Sequence, residues 1–269
     1  MKLAGVASRS LLLLTVVVAS AACDDSKPKD APAKVEPKPA APPPAASDKP
    51  EPKAAEAPPA PKKVFAKCEP GPTVKFQDDA LEAEIRKKLG KAKGPITAAD
   101  LRTVRSVNLS AGKVNDLDPC VFPLLLGVKD VFLGPGDLVD LTPLSSLITM
   151  ESLRASITKI SDLSPLSKLT KLDRLELGRT AVRDLSPLST LVNLTELSLD
   201  GTEVKDLRPL ASCVKLERLS LKNTQVSDFS PLKDLKALKF LYIEGTPGDD
   251  TGVLSPLTAR GLKIVRGDR

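Results

Sequence analysis

One five-residue phrase recurs six times between residues 116 and 232: an acidic residue, an apolar residue, any residue, proline, then usually leucine. The chain reads Asp116-Leu117-Asp118-Pro119-Cys120, Asp140-Leu141-Thr142-Pro143-Leu144 and Asp162-Leu163-Ser164-Pro165-Leu166. It continues with Asp184-Leu185-Ser186-Pro187-Leu188, Asp206-Leu207-Arg208-Pro209-Leu210 and Asp228-Phe229-Ser230-Pro231-Leu232. The acidic residues are spaced by 24 residues once and then by 22 four times, and a degenerate copy, Val253-Leu254-Ser255-Pro256-Leu257, follows after 25. A unit this short cannot bury its own apolar face. It must stack on its neighbours, so the period predicts a solenoid, whose usual work is to hold a partner.

Within a period the apolar positions are regular. One unit reads Leu172-x-x-Leu175-x-Leu177-x-x-Thr180-x-Val182-x-x-Leu185-x-x-Leu188-x-x-Leu191, and the two that follow keep the pattern with Cys213 at the place of Leu191 in one of them. The alternation at Leu175-x-Leu177 predicts a strand with one buried face. The later spacing of three predicts a tight 3₁₀ turn. Ser164, Ser186 and Ser230 are placed to cap that turn, and the proline after each suits its first position.

This pattern resembles the leucine-rich repeat, in the 22-residue class of the bacterial internalins, over residues 76–269. The resemblance implies an α/β-type repeat solenoid: a leucine-rich repeat horseshoe with a parallel sheet on the concave face, a 3₁₀ or irregular convex side and a helical N-terminal cap. Where that family usually has asparagine this chain has Thr158, Thr180, Thr202, Thr224 and Thr246. Their hydroxyls can bond neighbouring backbone, so the ladder is expected to survive, broken by Gly112 and Gly136 in the first two units. The segment ahead of the repeats resembles the family's cap. Phe76-Gln77-Asp78 precedes a helix with Leu81, Ile85 and Leu89 on one face, ending at Gly90, and Thr97-Ala98-Ala99-Asp100 reads as a capping box for a second. Gly261-Leu262-Lys263-Ile264-Val265 predicts a last strand, for eight in all.

The N-terminal quarter is different material. Lys2 and Arg9, an apolar run from Leu11 to Ala19 and the small residues Ser20-Ala21-Ala22 make residues 1–22 an export signal, too short to span a bilayer. Cys23 directly after them resembles the lipobox of bacterial lipoproteins, in which that cysteine becomes the lipidated first residue, although Ser20 stands where the family usually has leucine. Plain secretion with an incidental cysteine is the alternative. Residues 23–63 read as a disordered linker. Its last forty residues hold twelve prolines, ten alanines and eight lysines without an aromatic, and such a stretch buries too little apolar surface to offset its ordering entropy. Extended as polyproline II it reaches about 120 Å. The remainder divides into a cap, 64–103, and repeats, 104–269.

Four cysteines sort by position. Cys23 is the lipid candidate, and Cys213 stands where other units carry leucine and so reads as a buried thiol. Cys68 lies just before the cap and Cys120 in the first proline turn. An exported chain favours disulfides, and pairing these two would staple the cap to the solenoid. The alternative is a free Cys68 with Cys120 as a small core residue.

Chemistry finds little purchase. Histidine is absent, which removes the commonest general base and neutral metal ligand. No phosphate loop, paired-cysteine zinc pattern or catalytic triad occurs, so no enzyme and no cofactor is expected. Asp249-Asp250, and Asn115-Asp116 with Asp118, are weak cation candidates. Residues 64–269 hold 30 basic and 27 acidic side chains, too even for a nucleic-acid footprint.

The strand face remains. The residues flanking each buried pair form two outward rows, one with Ser106, Asp130, Ser152, Arg174, Glu196, Arg218 and Phe240, the other with Asn108, Phe132, Arg154, Glu176, Ser198, Ser220 and Tyr242. Strands about 4.8 Å apart predict charge ladders Arg174–Glu196–Arg218 and Arg154–Glu176. The candidate contact residues are Phe132, Arg154, Arg174, Glu176, Glu196, Arg218, Phe240 and Tyr242, because arginine and aromatics dominate interfaces. The expectation is a non-catalytic protein-recognition module, with the protein partner undefined, displayed from a bacterial cell envelope on a lipid-anchored stalk. The alternatives are a structural envelope spacer and a glycan- or peptidoglycan-binding lipoprotein.

Overall fold

The computed structural model describes residues 65–69, 71–248 and 252–267. The expected export signal, Cys23 and the expected linker 23–63 lie outside the described residues, as do Asp249 and Asp250. All described residues fall in one compact unit, Ala57–Arg269.

Two helices open it. In α1, Asp79–Leu89, Asp78 accepts the Leu81 N–H at 2.9 Å, and Gly90 closes the helix at φ 65°, a left-handed conformation that costs glycine least. Leu81 and Ile85 are fully buried and Leu89 packs partly against the core. In α2, Ala98–Thr103, Thr97 and Asp100 form the reciprocal capping box. Lys91 first, then Thr97, hold the Asp100 carboxyl down at about 2.

Eight strands follow: β1 Ser106–Leu109, β2 Asp130–Leu133, β3 Ser152–Arg154, β4 Arg174–Glu176, β5 Glu196–Ser198, β6 Arg218–Ser220, β7 Phe240–Tyr242 and β8 Lys263–Val265. They pair in chain order, all parallel. The fold is a leucine-rich repeat solenoid, and its core is one continuous column of leucines. In β5, Leu197 sits in register between Leu175 and Leu219, all three buried. The helix α1 lies along β1, where Glu84 Oε1 accepts the Asn108 N–H at 3.2 Å. An uncovered strand edge invites pairing with other chains, and the cap occupies this one. The degenerate seventh turn becomes a 3₁₀ segment, Gly252–Leu254, running into a short helix α3, Ser255–Thr258.

The turns hold a correction. Ser164, Ser186 and Ser230 do not cap their 3₁₀ segments with their side chains. The acid two residues earlier does so. Asp162, Asp184 and Asp228 each accept the backbone N–H of those serines at 2.8 Å, and Asp140 and Asp206 do the same for Thr142 and Arg208 at 2.8 and 2.9 Å. A carboxylate at this offset closes an Asx-turn. Proline is the second residue of each segment, not the first, so the amide before it is the one that needs an acceptor. The acid of the repeated phrase is therefore a backbone cap.

The threonine row keeps to its own unit. Thr158, Thr180, Thr202 and Thr224 are buried, and their hydroxyls donate to the carbonyl three residues back, at 2.9, 2.8, 2.6 and 2.8 Å. Backbone bonds link the units instead, such as Arg179 N–H to the Asp200 carbonyl at 2.6 Å and Asn223 N–H to that of Glu244 at 2.7 Å. Gly136 has no side chain there because a Cβ would lie 2.2 Å from the Val114 carbonyl oxygen. The residue before each threonine is left-handed: Ile157 at φ 61°, Arg179 at 56°, Gly201 at 66°, Asn223 at 53° and Gly245 at 69°.

Cys68 and Cys120 form a disulfide, with Cα atoms 5.3 Å apart across a sequence separation of 52. Beside it, fully buried, Asp118 takes the Gln77 N–H on Oδ2 at 2.8 Å and the Cys120 N–H on Oδ1 at 2.9 Å. Cap and first repeat are thus joined by one covalent bond and one shared carboxylate. Cys213 is a free, fully buried thiol that burial pushes up to about 11.

Candidate interaction surface

The alternation within each strand turns one side chain in two outward, and parallel pairing without slippage lines these up. Arg174, Glu196, Arg218, Phe240 and Lys263 share one row. Phe132, Arg154, Glu176, Ser198, Ser220 and Tyr242 share the other. Short strands on a packed core hold these positions rigidly, so the chemistry of the face is fixed by which residue occupies each step.

At the N-terminal end Arg154 grips Glu176 with two nitrogens, Nε at 2.7 Å and Nη2 at 2.9 Å, while its guanidinium carbon sits 5.5 Å from the centre of the Phe132 ring. Phe132, Arg154 and Glu176 therefore form one unit across three strands. The other predicted ladder forms only in part. Arg218 comes no nearer than 4.0 Å to Glu196, and Arg174 turns to its own neighbour Asp173 at 3.8 Å. Asp173 is held in place by the Thr195 hydroxyl, which donates to it at 2.5 Å, so it offers Arg174 a positioned carboxylate closer than the next strand does.

At the C-terminal end Phe240 lies between two cations in its own row, Arg218 at 5.3 Å and Lys263 at 5.8 Å from the ring centre. Tyr242 carries Lys222 at 5.6 Å. Lys222 also faces Glu244 at 3.4 Å, and Lys239 pairs with Glu217 at 2.7 Å. Phe132 and Tyr242 stand on β2 and β7 and belong to separate groups. Lys222 and Lys263 were not among the predicted contact residues. Continuing the first row one strand further reaches Lys263, and continuing the alternation past Ser220 reaches Lys222.

Among the described residues no group of three or more His, Cys, Asp or Glu side chains is placed to hold a metal ion. Asp118 spends both oxygens on backbone amides. No helix among the described residues is long and apolar enough to cross a membrane.

Residues 192–234 match the family described as Leucine Rich repeats (2 copies). A comparison with curated proteins finds no match. Among solved structures the chain is similar to an internalin C2 from Listeria monocytogenes, with a TM-score of 0.58 and 26% identity over 71% of this chain and 94% of that one. It is similar also to an internalin, inlF, from the same organism, with a TM-score of 0.59 and 26% identity over 72% of this chain and 63% of that one. A leucine-rich repeat protein of Leptospira interrogans shares the fold at a TM-score of 0.50 and 18% identity, covering 62% of this chain and 50% of that one. Repeat pattern, sheet and neighbours agree on a leucine-rich repeat solenoid that is similar in structure to the two Listeria internalins.

Proposed function

We propose that this chain is a non-catalytic protein-recognition module whose outward strand face makes the contact. The observation that carries the reading is the composition of that face. Three aromatic rings, Phe132, Phe240 and Tyr242, each lie under a cation within 5.8 Å of the ring centre. Aromatic and arginine side chains held on a rigid sheet lose little conformational freedom on binding, and they are the residue types that dominate binding energy. The internalin-like fold supports a protein-interaction role. Lipid attachment at Cys23, with residues 23–63 as a stalk, would display the module from a bacterial cell envelope. Support for that part comes from the export-signal pattern of residues 1–22.

The test is capture of partners from envelope extracts on the full chain and on variants. Loss of a captured partner in Arg218→Ala/Tyr242→Ala, with the melting curve unchanged, is the expected result. Full capture by that variant, with loss instead on changing the convex residues Lys168 or Lys233, moves the site to the other side. Capture of no partner above background by the full chain favours a spacer, in which the paired charges only neutralise one another. Separately, Cys23→Ser is expected to shift the protein from the membrane to the soluble fraction. An unchanged membrane fraction without lipid mass on the N-terminus rules the anchor out.

A further inference from the structure

Charge on the strand face is not evenly spent. Around β6 to β8 the cations include Arg218, Lys222, Lys239 and Lys263, with Arg266 just after β8, and the acids include Asp200, Glu217 and Glu244, with Glu196 on the neighbouring strand. Lys239 is matched by Glu217 and Lys222 by Glu244. Asp200 is occupied by the Ser220 hydroxyl at 2.5 Å and the Lys222 N–H at 2.9 Å. Arg218 has only a contact of 4.0 Å to Glu196. No carboxylate among the described residues pairs with Lys263. The unmatched positive charge thus falls on the two side chains that flank Phe240, one from β6 and one from β8, in the same row.

We infer that the β6–β8 end of the strand face is a docking site for an acidic peptide segment of a protein partner, two of whose carboxylates engage Arg218 and Lys263 while an apolar side chain between them covers Phe240 and Tyr242. The inference rests on the recognition role proposed above and adds the chemistry of the partner. The two cationic heads lie on either side of one ring, 5.3 and 5.8 Å from its centre. An extended chain advances about 3.4 Å per residue and turns every second side chain the same way, so acids four positions apart, with an apolar residue midway, face the two heads and the ring together. A charged hydrogen bond to a carboxylate is stronger than a cation's contact with a ring in water, so each cation has a better partner to gain. The surrounding acids set the selectivity. Glu196, Glu217 and Glu244 repel a ligand of continuous negative charge such as a nucleic acid, whereas a peptide can place its charges at the two cations alone. The same acids reject acidic peptides of the wrong spacing, since like charges placed opposite one another are costly.

The test uses the full chain, immobilised, and a random peptide display library. Recovered peptides are expected to carry two Asp or Glu residues four positions apart, with an apolar residue midway between them. A recovered peptide should bind at least about tenfold more weakly after its acids are changed to amides, and likewise to Arg218→Glu/Lys263→Glu, as for charge pairs at other interfaces. Binding to Lys168→Glu/Lys233→Glu, on the convex side, should be unchanged. Circular dichroism confirms the fold of each variant, and Arg218→Gln with Lys263→Gln replaces the reversal if that variant unfolds. Recovery of neutral or basic peptides, no recovery at all, or undiminished binding by the charge-reversed chain overturns the inference. So does tight binding of a nucleic-acid probe that the same reversal abolishes. If natural partner capture survives Arg218→Glu/Lys263→Glu but is lost in Phe132→Ala/Arg154→Ala, strand-face recognition stands and the acidic-segment site alone falls.

Discussion

Replacing Asp118 should loosen the cap from the solenoid, and the size of the effect follows from its contacts. The side chain is fully buried and accepts two backbone N–H bonds, from Gln77 at 2.8 Å and Cys120 at 2.9 Å. One comes from the segment before α1 and the other from the first proline turn. Hydrogen bonds to a charged group contribute about 1.5–3 kcal/mol each, and an amide left without an acceptor costs about 1–3 kcal/mol where water cannot replace it. Both amides are only partly buried, so solvent recovers some of the loss. Asp118→Ala is therefore expected to cost about 3 kcal/mol in total. Asp118→Asn keeps the volume and one acceptor oxygen but turns an N–H₂ group toward one of the two donors, and should cost about half of that.

The assay is a urea titration of wild type and both variants with the Cys68–Cys120 disulfide intact, alongside amide hydrogen exchange. Because a repeat array need not unfold all at once, the loss should show first as early release of the cap. Faster exchange is expected at Gln77 and Cys120, with the Leu197 amide unaffected. A cost for Asp118→Ala below about 0.5 kcal/mol, with Gln77 exchanging as slowly as before, would mean that the disulfide and the leucine contacts hold the cap alone.

The remaining predictions are more local. Leu197→Ala, inside the central column, should cost about 2–5 kcal/mol, and Ser198→Ala, next to it but facing out, well under about 1 kcal/mol; equal costs by urea titration would place the strand one residue out of register. Ile157→Gly should stabilise the chain by about 0.5–1 kcal/mol, because a left-handed β-branched residue is strained by about 1–2 kcal/mol while glycine's greater unfolded-state freedom offsets part of the relief. Ile157 is 52% exposed and at φ 61°, so a lower melting temperature in that variant would show that its exposed side chain holds something the strain argument omits. Acid should weaken the fold through the turn aspartates: the hydroxyl and amide of Ser164, Ser186 and Ser230 hold Asp162, Asp184 and Asp228 below the ordinary carboxylate range, and the Arg208 side chain and amide do so for Asp206. A lowered folded value means the stabilisation is complete above the unfolded value near about 4 and is lost as pH falls through the folded ones; urea midpoints that stay level from neutral pH down through that window in wild type, or fall as steeply once all four are changed to Asn, would contradict it.

What the sequence made legible was whatever repeats. Strand count, parallel order, register and the inward leucines are each stated six times over, so a local ambiguity at one unit is corrected by the next. The proline turn was legible as an element but not in its wiring. Serine and aspartate are both good caps, and spacing alone does not say which side chain turns back on the amide. Asp118 was hidden for a different reason. It sits at the variable position of the repeated phrase, in the one unit that faces the cap, and nothing periodic marks it. The split of Arg174 from Glu196 was equally invisible, since register places the two side by side and only the positioned carboxylate of Asp173 takes Arg174 away.

The Arg174 miss has a physical cause that bears on where recognition should be sought. Positions that recur in every unit are fixed by burial and by backbone closure, and a substitution there is felt by the neighbouring units on both sides. Outward positions answer to no such constraint. Their identities run Arg174, Glu196, Arg218, Phe240, Lys263 along one row with no one residue type kept from strand to strand. A solenoid that needed only to be a solenoid could fill such a row with any soluble residue. Placing an aromatic ring between two cations in three adjacent strands, and leaving those cations the least matched on the face, adds nothing to burial. Exposed cation–ring contacts contribute about 0.5–1 kcal/mol each, far less than one buried leucine. What they supply is a rigid, desolvation-ready surface of a definite charge, which is why the non-periodic end of the face, not the periodic core, is the place to change residues when partner choice is the question.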